Sequence, residues 1–159
     1  MTAMDISIDA FLADSAETVQ GKIYALGVGW NGVQISQFPA RHARMSVGIV
    51  VEVPYTETNR MHRIALCLED EDNDRVKLGD GPQHDAAETD VYELGGQFSV
   101  GRPPLLPAGD SQVVPLTITI DGLIFHKPGM YHWVIRVNDE EKRRLPMRVV
   151  QVLHAEPRG

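Results

Sequence analysis

Residues 69–74, Glu-Asp-Glu-Asp-Asn-Asp, form the densest group of oxygen ligands in this chain, and oxygen is what a calcium ion takes. Counted from Asp70, a calcium-binding hand needs glycine at its sixth position and glutamate at its twelfth. Arg75 and Gly81 stand there, so that loop is excluded. A calcium site assembled from several loops stays open, against the commoner reading of a solvated hairpin turn. The histidines, His42, His62, His84, His126, His132 and His154, show no i, i+2 or i, i+4 spacing and read as surface residues. Ser15, Ser46, Ser99 and Ser111 lack the glycine-flanked elbow of a nucleophile on a strand-to-helix turn. Cys67, the single cysteine, excludes an intramolecular disulfide framework and a multi-cysteine zinc site, and is expected to pack rather than react. Gly27-Val-Gly-Trp30 lacks the helix that follows a phosphate-binding loop, and reads as a bend within a strand at 22–28. No catalytic residue, metal or cofactor is expected.

Basic residues collect beside histidine in Arg41-His-Ala-Arg44 and Arg60-Met-His-Arg63. They suggest a positive patch for a protein partner, against the plainer reading of edge and loop charge that blocks unwanted strand pairing. The acids outnumber the bases, 22 to 15, for a net charge of −7, which argues against general nucleic-acid binding.

The elements that position these residues repeat with period two. Met45, Val47, Ile49, Val51 and Val53 alternate with smaller or polar residues, as do Ile64, Leu66 and Leu68. The same holds for Val114 to Ile120, Tyr131 to Val137, and Leu145, Met147 and Val149. Alternation predicts strands with one face on a core. Weaker strands fit 6–11, 22–28 and 92–100, and a single helical turn fits 55–59. Residues 71–74, 127–129 and 138–141 carry turn chemistry. Gly101-Arg-Pro-Pro-Leu-Leu-Pro-Ala-Gly-Asp is a loop between strands, and its Pro104-Leu-Leu-Pro107 spacing is too short a match to identify a ligand. The expected architecture is all-β: a single antiparallel β-sandwich of about eight strands over 1–159, immunoglobulin-like or jelly-roll-like. It carries a long polar loop at 77–90 and a short tail at 154–159. No basic or apolar leader opens the chain, and no apolar run approaches the roughly 20 residues of a spanning helix, so a cytoplasmic protein is expected.

Phe11-Leu-Ala-Asp14-Ser-Ala-Glu17, Gly21-Lys-Ile-Tyr24, Gly27-Val-Gly-Trp30, Val53-Pro54, Asn59-Arg60, Gly101-Arg-Pro-Pro104 and Pro128-Gly-Met-Tyr131 together resemble an uncharacterised family of small bacterial and phage-associated all-β proteins. The resemblance implies the fold and no activity; a phage-encoded member would reside in the virion.

The leading expectation is therefore a non-enzymatic protein-binding module, a structural or accessory component of a larger assembly such as a phage particle, with self-association or a protein partner. Its contacts are expected from residues 39–44, 55–63 and 101–110, through Arg41, Arg44, Arg60, His62 and Arg102. The alternative is a ligand-binding module for carbohydrate or calcium, with Trp30 or Trp133 as a stacking face. An enzyme with a site assembled across strands is the third reading.

Overall fold

A computed structural model describes residues 5–80 and 90–153. The tail at 154–159 and most of the polar loop at 77–90 lie outside the described residues.

Among the described residues the chain is all-β, with one 3-10 turn at Tyr55–Glu57 and no α-helix. The strands are β1 (Ser7–Ala13), β2 (Ser15–Val19), β3 (Lys22–Leu26), β4 (Gly32–Ile35), β5 (Ala40–Val53), β6 (His62–Glu69), β7 (Gly79–Asp80), β8 (Asp90–Val91), β9 (Leu94–Phe98), β10 (Gln112–Phe125), β11 (Gly129–Val137) and β12 (Glu140–Gln151). One sheet has the order β1-β5-β10 and a larger one β4-β12-β11-β6-β9, while β2-β3 and β7-β8 form two-stranded pairs. The expectation of about eight antiparallel strands is corrected in number and direction: there are twelve among the described residues, and β4 runs parallel to β12, Arg148 to Gln151 facing Gly32 to Ile35.

Apolar faces of both large sheets meet in one core. From β5 come Met45, Val47, Ile49, Val51 and Val53; from the larger sheet come Leu66, Leu68, Trp133, Ile135, Met147 and Val149. These are the residues alternation marked, and removing their apolar surface from water is the main stabilising contribution. On β10 the alternation changes phase at Gly122, whose φ of 71° lies in the left-handed region that glycine adopts without penalty. Ile120 is buried before it, and Leu123 and Phe125 after it, so the strand runs to Phe125 instead of ending near 120.

At Asp14 the chain leaves β1, and the β2–β3 hairpin packs against β10 and β5. Its inner side is tied down by polar contacts. The Ala16 amide donates to Ser46 Oγ at 3.2 Å, Ser46 Oγ lies 2.8 Å from Thr119 Oγ1, and Thr18 Oγ1 lies 3.1 Å from Thr117 Oγ1. Ser46 is thereby fully buried and hydrogen-bonded at both its contacts.

Candidate functional site

The five expected contact residues divide between opposite ends of β5. From Arg44 to Val53 the strand rises about 30 Å, which separates Arg41 and Arg44 from the end where Arg60, His62 and Arg102 gather.

At that second end two of the expected contact segments meet. The Asn59 amide donates to the Val100 carbonyl at 2.7 Å. Arg102 Nε donates to Thr58 Oγ1 at 2.6 Å, its Nη2 reaches the Tyr55 carbonyl at 3.3 Å, and its guanidinium carbon stacks 4.1 Å from the Tyr55 ring centroid. Thr58 Oγ1 in turn donates to the Tyr55 carbonyl at 2.7 Å. Turns closed by Leu106 onto Pro103 and Asp110 onto Pro107 stiffen the loop between, and the Gln112 side-chain amide nitrogen donates to the Gly101 carbonyl. Proline fixes φ and hydrogen bonds close both ends, so little freedom is left to lose on binding. At its apex Leu105 is 97 % exposed, and Met61 and Val113 are also exposed. Arg60 makes a long ion pair with Glu57 at 3.6 Å and stays largely exposed.

His62 corrects the sequence reading. It was expected as a surface contact, yet it is 2 % exposed. Its Nε2 donates to the Glu57 carbonyl at 2.7 Å, and its Nδ1 lies 3.0 Å from the Asn138 side-chain amide nitrogen. Asn138 Oδ1 accepts the Arg63 amide, so the amide nitrogen is the donor and Nδ1 the acceptor. With the ring tilted against Phe98 at 5.4 Å, His62 ties the 3-10 turn to β9 and to the β11–β12 turn. Both nitrogens satisfied is why a histidine can be buried here.

At the first end Arg44 is bidentate on Asp121, Nε to Oδ1 at 2.6 Å and Nη2 to Oδ2 at 3.2 Å, the two residues facing each other in the β5–β10 ladder. The hydrogen bond from Arg44 holds the Asp121 carboxyl below its ordinary range, and the same bond raises the Arg44 guanidinium. Arg41 lies across Gly122, where a β-carbon would collide with its guanidinium. Arg44 and Asp121 line a cleft of about 620 Å³ beside the hairpin, with Ser15, Glu17, Tyr24 and Thr119. A second cleft of about 350 Å³ is lined by Phe11, Val28, Trp30, Leu145 and Pro146.

The model of DUF6941, a family of unknown function, matches residues 8–150, from β1 through nearly all of β12. The chain belongs to that family. No curated protein matches it. The DUF6941 match therefore takes in both ends of β5, the cleft and the loop at 101–110.

Within this DUF6941 fold the basic clusters do not make one positive patch. Arg63 pairs with Glu93 at 2.7 Å and Asp139 at 3.2 Å, Lys142 with Glu140 at 3.4 Å, and Arg144 with Glu141 at 2.7 Å and Glu69 at 3.2 Å. The hydrogen bond to Glu141 raises the Arg144 guanidinium. Carboxylates of Asp70, Asp72 and Asp74 lie within 4.8 Å of one another. The Lys127 ammonium already sits 3.7 Å from Asp70 and 3.5 Å from Asp72, and Asp70 Oδ1 accepts the Asp72 and Asp74 amides as a turn would. Trp133 is buried in the core and offers no stacking face, and Trp30 is half-buried. Cys67 is buried, as its packing role required, with Arg136 Nη1 at 3.3 Å from its sulfur. Tyr24 and Asp121, which complete the cleft, were missed in the sequence. Tyr24 closes the Gly21-Lys-Ile-Tyr24 segment, which suggested the family and no chemistry, and the signal for Asp121 is that it follows an alternating run.

No helix among the described residues is long and apolar enough to cross a membrane.

Proposed function

We propose that this DUF6941 chain is a non-enzymatic protein-binding module, a single sandwich built from its two large sheets, acting as a structural or accessory component of a larger assembly. The observation that carries the reading is Leu105, 97 % exposed on a loop that Arg102 and Gln112 hold at its base. A leucine in water gains on entering an apolar pocket, and a stiff loop gives up little entropy when it does. Met61 and Val113 are also exposed, and Arg60 and Arg102 supply polar groups of the kind that rim such contacts. Cys67 and His62 support the same reading, since burial withdraws the thiol and fixed hydrogen bonds occupy the ring.

The test compares wild type with Leu105→Asp, by native mass spectrometry across protein concentration and by cross-linking with affinity capture. An oligomer or a stoichiometric partner that Leu105→Asp removes, with the fold intact, supports the reading. A chain that stays monomeric and recovers the same proteins with either version sinks it.

A further inference from the structure

We propose that the cleft beside the β2–β3 hairpin binds a neutral oligosaccharide, with Tyr24 as the face on which a sugar ring stacks and the Arg44–Asp121 pair as its hydroxyl-binding edge. This goes beyond the protein-contact reading and sits at the other end of β5, about 30 Å along the strand.

The cleft, at about 620 Å³, is the size of a small-molecule site. Its lining argues for the class. A sugar ring presents an apolar C–H face and a rim of hydroxyls, each both donor and acceptor. Tyr24 is 58 % exposed and offers an aromatic face with a polar tip, suited to a surface of that mixed kind. Arg44 and Asp121 hold donors and acceptors side by side in one fixed plane, and their side chains remain 55 % and 58 % exposed, reachable by a ligand without breaking the pair. Ser15 and Thr119 add hydroxyls to the lining. Two carboxylates, Glu17 and Asp121, stand against the single cation Arg44, so the lining repels phosphates and acidic sugars and leaves the neutral ones.

The frame is set before a ligand arrives. Asp121 and Arg44 are ladder partners, and the hairpin that carries Tyr24 is held by the Ala16–Ser46–Thr119 and Thr18–Thr117 contacts. A preformed site of exposed polar groups and one aromatic face gives weak, millimolar binding per ring.

The experiment is saturation-transfer NMR, with amide shift mapping on the full chain, against maltotriose, cellotriose, chitotriose and mannotriose at about 10 mM, a ceiling that still detects millimolar binding. The expected result is saturation transfer to at least one of the four, with shifts at Tyr24, Thr119 and Asp121. Tyr24→Ala and Asp121→Ala should each weaken it about tenfold, as loss of a stacking or charged contact does. Both positions are exposed, and an unchanged melting curve shows that each variant folds. Binding by none of the four overturns the proposal. So does binding that survives both substitutions, or a response confined to Leu105 and its loop.

Discussion

The guanidinium of Arg102 stacks 4.1 Å from the centroid of the Tyr55 ring while its Nε donates to the Thr58 hydroxyl, so one side chain binds the proline-rich loop to the 3-10 turn. An exposed cation–aromatic contact and a charge-assisted hydrogen bond together amount to about 2–4 kcal/mol. Arg102→Ala should lower stability by that amount in urea denaturation and speed proteolysis within 101–110. Arg102→Lys should restore only part, since an ammonium lacks the flat face and the forked donors. Leu105→Ala, which removes no internal contact, should stay within about 0.5 kcal/mol of wild type.

His62 predicts a larger loss. Its ring fills core volume, donates to the Glu57 carbonyl and receives the Asn138 amide, so His62→Ala leaves a cavity and two orphaned polar groups. About 2–4 kcal/mol is expected. Asn138→Gly isolates the amide's share: Asn138 has φ of 52°, which glycine accepts without strain, so only the side-chain bonds to His62 and Arg63 are lost, about 1–2 kcal/mol. Chemical denaturation of the two variants separates the ring from the amide.

How much of this was readable in advance follows from what periodicity reports. Strand cores at 45–53, 64–68, 114–120 and 131–137 were legible because one face of each meets the common core. The four-residue β4 was not, being too short to show alternation, and its parallel pairing with β12 depends on where the chain returns rather than on composition. Burial of β6 on both faces was hidden as well. Cys67 sits on the outward face of the sheet, where the long side chain of Arg136 covers it. The candidate site was legible as residue types and not as places. Arg60 and Arg102 stand on segments that meet at one end of β5, while Arg41 and Arg44 were grouped with them although a 14-residue strand holds them apart. His62 was misplaced because burial of a histidine depends on partners far away in sequence, here Asn138.

Tyr131 and Lys127 give the pH dependence. Tyr131 is buried and donates its hydroxyl to the Lys127 carbonyl at 2.7 Å. Burial raises its pKa above 10.0, with the nearby Asp70 and Glu71 adding to the rise and the Lys127 ammonium opposing it. Lys127 is itself raised above 10.5, chiefly by Asp70. A group whose folded pKa exceeds its unfolded one keeps its proton longer in the native state, so its contribution is complete below the unfolded pKa and is lost as pH rises through the folded one. The melting temperature should therefore show no pH dependence from these groups through neutral pH, where their contribution is complete, and a fall above about pH 10. Tyr131→Phe should reduce that alkaline fall and cost about 1 kcal/mol at neutral pH for the lost hydrogen bond. An alkaline limb unchanged in Tyr131→Phe would show that another group controls it.

Adjacent glycines on β9 make a matched pair. A β-carbon at Gly95 would run into the carbonyl oxygen of Ile64, which is backbone of the neighbouring β6 and cannot rotate away; at Gly96 the same carbon meets open space. Gly95 therefore allows β9 to approach β6 at all, whereas Gly96 is held only by its ladder position. Gly95→Ala should push β9 off the sheet and cost about 1–3 kcal/mol, the range for atoms forced into filled space. Because Phe98 packs against His62 from the same strand, displacement of β9 should also loosen the His62 ring, visible as faster hydrogen exchange at His62 and Arg63. Gly96→Ala should fall within about 0.5 kcal/mol of wild type, or slightly above it, since alanine restricts the unfolded chain more than glycine. Equal effects at the two positions would mean that the sheet edge tolerates displacement and that the close approach to Ile64 does not hold β9 in place.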